Sequence, residues 1–181
     1  MKLLVFSDIH SNLKTVEKIK KLALKVDILV CAGDISEFGM GLENVLKELF
    51  SIGKPMVIIH GNHEDVNETR RLCSSRKNVY FIHKKGFIID DYVFYGYGGG
   101  GFSFIDINLD KLINKVKEAY QNKKMVFVTH APPYNTKTDR HLVGHQGSNS
   151  VRKFIQHVQP ILHIHAHFHE TEKKTDKIGV T

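Results

Sequence analysis

Apolar and polar positions along the chain fall into short blocks of two alternating periods. Leu3, Leu4, Val5 and Phe6 form an uninterrupted apolar run, which predicts a strand over 2–7 buried on both faces. Leu13, Val16, Ile19, Leu22 and Ala23 follow at helical spacing behind Asn12, a favoured N-cap residue. Ile28, Leu29, Val30 and Cys31 form a second continuous run. Leu42, Val45, Leu46, Leu49 and Phe50 mark a second helix, with Gly53 placed to stop it and Pro55 to open a third strand over 56–59. The first third therefore reads β-α-β-α-β, the pattern of a parallel sheet with right-handed crossovers.

The pattern then changes. A short helix is predicted over 65–75, and apolar runs at 79–82, 87–89 and 92–95 with tight turns between them predict antiparallel strands. Residues 96–101 are glycine-dense. They suit either a mobile loop at a rim or a phosphate cradle, although no Lys-Ser/Thr pair follows. Leu109, Leu112, Ile113, Val116, Ala119 and Tyr120 share one face of a helix over 106–121. A buried strand over 125–129 runs into Pro132 and Pro133, which block helix and inner strand alike. A long loop then reaches to about 147, followed by a helix over 148–157, a strand over 160–165 and a last short strand at 177–181. With 181 residues and no linker, repeat or low-complexity segment, the expectation is a single domain over 1–181.

The chemistry gathers where the apolar runs stop. Asp8 and His10, Asp34, Asn62 and His63, His130, and His167 and His169 all follow strand-like blocks. Ligand sites in open α/β sheets lie at the carboxyl ends of strands. In an extended chain Asp8 and His10, two apart, face the same side. Carboxylate, amide oxygen and imidazole without thiolate suit Mn²⁺, Fe²⁺ or Zn²⁺. This many donors exceeds the needs of one ion with an open position, and two ions sharing a carboxylate fit better, the usual device for displacement at phosphorus.

Asp8-x-His10, Gly33-Asp34, Gly61-Asn62-His63-Glu64, Thr129-His130-Ala131-Pro132-Pro133 and Ala166-His167-x-His169-Glu170 together resemble the motifs of the calcineurin-like metallophosphoesterases, in that family's order. The resemblance implies a four-layer αββα sandwich of two mixed sheets with a dinuclear site at the strand C-terminal edge. It further implies that Asp8, His10 and His169 hold one metal, that Asn62, His130 and His167 hold the other, and that Asp34 bridges them. His63 is then the catalytic histidine. The two divalent ions would be Mn²⁺ first, with Fe²⁺, Zn²⁺, Ni²⁺ or Mg²⁺ as alternatives. A water shared between them would become the attacking hydroxide, and protonated His63 would stabilise the transition state or protonate the leaving alkoxide. Gly61 is expected to allow a sharp turn. Ala166 stands where relatives usually carry Gly, and a rival register would use His165 and His167. The matching Glu170 favours His167 and His169, leaving His163 and His165 as packed strand histidines.

The arginine that follows the Gly-Asp motif in phosphoprotein phosphatases is absent from Ile35-Ser36-Glu37-Phe38-Gly39. The remaining branch is small, single-domain and directed at phosphodiesters or nucleotides, with Arg140 and Lys137 in the long loop as candidate substrate-binding cations. A nuclease on short single strands and a non-catalytic scaffold of the same fold are the alternatives. The formal charge of +7 rests on lysines that fall mostly on helix polar faces. It suits anionic substrates without specifically indicating nucleic acid. With 41% hydrophobic and 25% charged residues, two cysteines, no leader-like start and no apolar run near the ~20 residues of a membrane span, a cytoplasmic protein without a membrane partner is expected. A homo-oligomer is compatible with all of this.

Overall fold

The computed structural model describes residues 1–181. Its elements run β1 (Leu3–Phe6), α1 (Leu13–Ala23), β2 (Ile28–Cys31), α2 (Leu42–Phe50), β3 (Met56–Ile58), α3 (Val66–Ser74), β4 (Val79–Phe81), β5 (Lys85–Ile89), β6 (Tyr92–Tyr97), α4 (Ile107–Asp110), α5 (Ile113–Ala119), β7 (Lys124–Thr129), β8 (Arg140–His141), β9 (Gly144–His145), α6 (Asn149–Val158) and β10 (Leu162–Ile164), then a 3-10 turn at His169–Thr171. One sheet has the order β1-β2-β3-β4 and is parallel throughout, with Val5 opposite Val30, Val30 opposite Val57 and Val57 opposite Tyr80. The other has the order β10-β7-β6-β5 and is mixed, because β5 joins β6 antiparallel while the rest run parallel. The short β8–β9 ribbon stands apart.

The four layers follow from the period of two along the inner strands. Leu29 and Cys31 of β2 pack with Val16, Ile19, Val45, Leu46 and Leu49 of α1 and α2. Ile28 and Val30, on the other face, join Val57, Phe94, Val126 and Val128 between the sheets. Tyr95 and Phe127 meet Leu109, Ile113, Val151 and Phe154 of α4–α6. Phe127 and Phe154 stack at 4.0 Å and are fully buried, each contributing roughly 1.5–3 kcal/mol. Helix starts are set locally. Asn12 accepts hydrogen bonds from the amides of Lys14 and Thr15, and Ser148 accepts one from that of Val151.

Four expectations from the apolar pattern are corrected. β1 is an edge strand with a single neighbour, so Val5 is 44% exposed and the strand is not buried on both faces. β4 pairs parallel with β3 across the α3 crossover instead of joining the antiparallel strands after it. The helix over 106–121 divides, because the Leu112 amide bonds to Leu109 in a tighter turn; both pieces still pack on α6. Residues 177–181 form no strand: Ile178 and Thr181 exchange backbone hydrogen bonds and close a turn. No helix is long and apolar enough to cross a membrane.

Candidate metal centre

Five parallel strands, β1, β2 and β3 of one sheet and β7 and β10 of the other, carry the candidate ligands in the loops at their carboxyl ends. These loops are laced together. The amide of Asp8 donates to the Gly33 carbonyl at 3.1 Å, that of His10 to the Asp34 carbonyl at 3.2 Å and that of Ser11 to the Ile35 carbonyl at 3.0 Å. The chain is not extended here: Asp8, His10, Asp34 and His167 have φ of 50°, 46°, 49° and 78°. Left-handed turns, rather than the alternation of an extended chain, therefore bring Asp8 and His10 together. With Ser11 and Phe38 in the same loops also left-handed, strain is concentrated at one place. Gly61 also has a different role from the expected sharp turn. A Cβ there would stand 1.9 Å from Asp34 Oδ1, and one on Gly33 would stand 2.5 Å from the Gly61 nitrogen. The glycines let the loops after β2 and β3 touch.

Two groups of ligand atoms result, each within 4.8 Å of one another: Asp8, His10 and His169, and Asp34, His130 and His167. In the first, Asp8 Oδ1 lies 3.7 Å from His169 Nε2 and 4.0 Å from His10 Nε2. In the second, His130 Nε2 lies 3.2 Å from Asp34 Oδ2 and 3.0 Å from Asn62 Oδ1. His130 Nδ1 meets the Ala32 carbonyl at 2.9 Å, an acceptor only, so Nδ1 carries a hydrogen and Nε2 faces the two oxygens. Asp34 Oδ1 accepts from the His63 amide at 3.1 Å, leaving Oδ2 for the centre.

The electrostatics suit a cation. Burial disfavours charge on Asp34, but His130 beside it outweighs burial and holds the carboxyl down at about 2. Burial likewise opposes charge on His130, and Asp34 outweighs it, raising that imidazole above its ordinary value. Burial lowers His167 to about 4, which keeps a neutral ligand. Asp8 Oδ1 and His167 Nε2 are buried with no hydrogen-bond partner. Unpaired buried acceptors around a carboxylate are costly unless a cation satisfies them, and the nitrogen and oxygen donor set is one that borderline divalent ions accept.

His63 lies beside both groups. Its Nε2 is 3.9 Å from Asp34 Oδ2, and its ring meets that of His10 edge-on at 4.8 Å. The amide of Phe38 donates to Nδ1 at 3.3 Å. An amide can only donate, so in this arrangement Nδ1 accepts and a ring hydrogen stands on Nε2.

Two acids have roles that the sequence reasoning did not assign. Glu37 approaches His10 Nδ1 at 3.1 Å and His63 Nδ1 at 3.8 Å, forming a third potential ligand group with them. Its only sequence signal is a carboxylate three residues after Asp34 in the same loop. Glu64 is buried and accepts from the Ser36 amide and hydroxyl at 2.9 Å each and from the Gly61 amide at 2.8 Å. It clamps the loops that hold Asp34 and Asn62.

Other candidates lie elsewhere. The Lys137 amide donates to Asp176 at 2.8 Å, and Arg140 sits on the exposed β8–β9 ribbon; neither is brought into the cluster. The glycine-dense loop is tied down, because the amides of Gly98 and Gly99 donate to His83 Nδ1 and the His60 carbonyl. Those two amides are thus unavailable to a phosphate. His163 meets Thr129 Oγ1 at 2.8 Å, and burial holds it well below its ordinary pKa. His165 stands outside both ligand groups, and burial lowers it to about 4. Both rings border a cavity of about 180 Å³.

The family model described as Calcineurin-like phosphoesterase matches residues 1–171. The protein MJ1162 of Methanocaldococcus jannaschii is 33% identical over all of this chain and 85% of its own length. The UPF0046 protein K07C11.7 of Caenorhabditis elegans is 26% identical over 94% of this chain and 64% of its own, so the chain spans under two thirds of that relative. Among solved structures, TT1561 of Thermus thermophilus superposes with a TM-score of 0.74 at 17% identity, over 90% of this chain and 80% of that one. The purple acid phosphatase PPD1 from yellow lupin seeds gives 0.55 at 13% identity, over 93% of this chain and 38% of that one. These structural likenesses concern the fold.

Proposed function

The chain belongs to the calcineurin-like phosphoesterase family and so is a metal-dependent phosphoesterase, and from that premise we propose that it hydrolyses small phosphodiesters, nucleotide esters among them. Family members generally use a dinuclear divalent centre. Asp8, His10 and His169 would hold one ion, Asn62, His130 and His167 the other, and Asp34 Oδ2 would serve both. Two such ions, with manganese the first choice, supply a nucleophile from water and neutralise charge on the phosphoryl oxygens.

The observation that carries this reading is the pair of three-residue ligand groups with His63 Nε2 turned toward them. The chain's own groups divide the remaining work. The Phe38 amide orients His63, whose Nε2–H is placed to donate to a phosphoryl or leaving oxygen. Glu64 keeps the loops of Asp34 and Asn62 in register. Glu37 adds negative charge beside His10 and His63, and the loop that carries it lacks the arginine of the phosphoprotein phosphatase branch. A dianionic monoester meets more repulsion there than a monoanionic diester does, which favours the diester.

The test uses protein stripped of metal, reloaded with Mn²⁺, Ni²⁺, Fe²⁺, Zn²⁺ or Mg²⁺ and assayed on matched aryl phosphodiester and phosphomonoester substrates. The expected result is diester turnover that depends on reloading. Monoester turnover equal to or faster than diester turnover would remove the diester assignment, and activity indifferent to metal would remove the centre.

A further inference from the structure

Phe38 is 72% exposed and holds a left-handed backbone, φ 48°, that a phenylalanine rarely adopts. The turn carrying it is built from several sides. Met40 donates to the Glu37 carbonyl at 2.9 Å, Ser11 Oγ donates to the Met40 carbonyl at 2.6 Å, the Glu37 amide donates to Ser11 Oγ at 3.3 Å and that of Gly39 to Ser36 Oγ at 3.2 Å. One face of the ring lies on the His63 imidazole, with centroids 4.1 Å apart and planes 19° from parallel. The other face looks into solvent. Phe102, 71% exposed, flanks the other half of the centre but meets His167 edge-on at 67° and also packs on Phe168, so it does not extend a stacked imidazole as Phe38 does. Strain held at a solvent-facing aromatic beside a candidate reaction centre points to a surface made for a ligand.

We infer that Phe38 is a specificity-determining residue, the platform on which a planar ring in the ester's organic group stacks as that group lies against His63. This rests on the phosphoesterase reading of the same site. It narrows the substrates to phosphate esters of ring-bearing alcohols, namely nucleosides or phenols. Stacking of a base on an aromatic side chain is worth roughly 5- to 150-fold in affinity. Sugar or glycerol phosphates gain nothing from it.

The experiment measures binding by calorimetry to Mn²⁺-loaded protein with AMP, phenyl phosphate and ribose 5-phosphate, the last lacking only the base of AMP. Wild type should bind at least one ring-bearing probe roughly 5- to 150-fold tighter than ribose 5-phosphate. AMP foremost identifies a nucleoside; phenyl phosphate foremost identifies an aryl group. Phe38→Leu should abolish that preference, so that the ring-bearing probes bind no better than ribose 5-phosphate, whereas Phe38→Trp should keep it. Phe38→Gly should melt no lower than wild type, since glycine adopts the left-handed turn freely. If ribose 5-phosphate binds as well as both ring-bearing probes, the Phe38 inference falls and the phosphoesterase reading stands. If Phe38→Leu weakens all three alike, the residue acts only by positioning His63. A large drop in melting temperature for Phe38→Gly makes the ring structural. If no probe binds the loaded protein, the Phe38 inference falls, and the phosphoesterase reading, which disfavours dianionic monoesters, is judged separately by diester turnover after metal reloading.

Discussion

Replacing His63 by alanine removes one imidazole from between Asp34 and Phe38 and leaves all seven proposed metal ligands in place. The side chain is 14% exposed, and its loss forfeits the Phe38 amide bond and ring stack, a stability cost of about 1 kcal/mol. The chemical cost should be larger. Nε2 is 3.9 Å from Asp34 Oδ2, within reach of charge developing on a phosphoryl group. Removing one such oriented donor typically lowers kcat by about 10²–10³-fold, or about 2.7–4 kcal/mol. Because Nδ1 accepts from the Phe38 amide, the ring serves as a donor rather than an acid, so the loss should not depend on the leaving group. The assay compares an aryl and a dialkyl phosphodiester on the Mn²⁺-loaded variant, with metal content measured on the same sample. Losses should agree within about threefold. A loss on the alkyl ester about tenfold or more beyond that on the aryl ester would mean that His63 delivers a proton, and the orientation drawn from Phe38 would be wrong. Unchanged turnover with both metals present removes His63 from the mechanism. Loss of a metal would instead place His63 among the ligands, as its grouping with His10 and Glu37 permits.

Asp34→Asn should lose most bound metal and activity, since it deletes the charge proposed to serve both ions; two metals retained by mass spectrometry would end the shared role. His169→Ala and His163→Ala should behave oppositely. His169 is 63% exposed, so its loss should cost metal and turnover with little change in melting temperature. His163 is half-buried and hydrogen-bonded to Thr129, so its loss should destabilise by about 1 kcal/mol with metal content intact. A reversed pattern would favour a register with the earlier histidines as ligands. Gly61→Ala forces a Cβ to 1.9 Å from Asp34 Oδ1 and 2.4 Å from the Asp34 nitrogen. Chemical denaturation should therefore show a loss of at least about 1–3 kcal/mol, and wild-type stability would mean that the two loops are not held together in this way.

Much of this protein is written in short-range pattern. Unbroken apolar runs mark β2, β3 and β7, and helical spacing marks α1, α2 and α6, because each depends only on neighbours within a turn or a pleat. Asn12 and Ser148 cap helices through amides two and three residues away, so they too are visible locally. The histidines and acids after the strands are visible for the same reason: a buried strand must stop before a charge.

What lies beyond that range depends on partners distant in the chain. β1 and β2 are both apolar, yet only strand order makes one an edge and the other a centre. β4 lies parallel to β3 because a crossover helix fits between them, a matter of space and not of composition. Gly61 looks like a turn glycine until Asp34 is seen to fill the volume of a side chain there, and at Gly33 the backbone of His60 and Gly61 fills it. Glu37 and Phe38 sit in an unpatterned loop, and nothing near them in sequence announces His10 or His63. Their roles exist only once five loops from two sheets close on one point, since electrostatic and stacking forces act through space, whereas hydrophobic periodicity records only which way each residue faces.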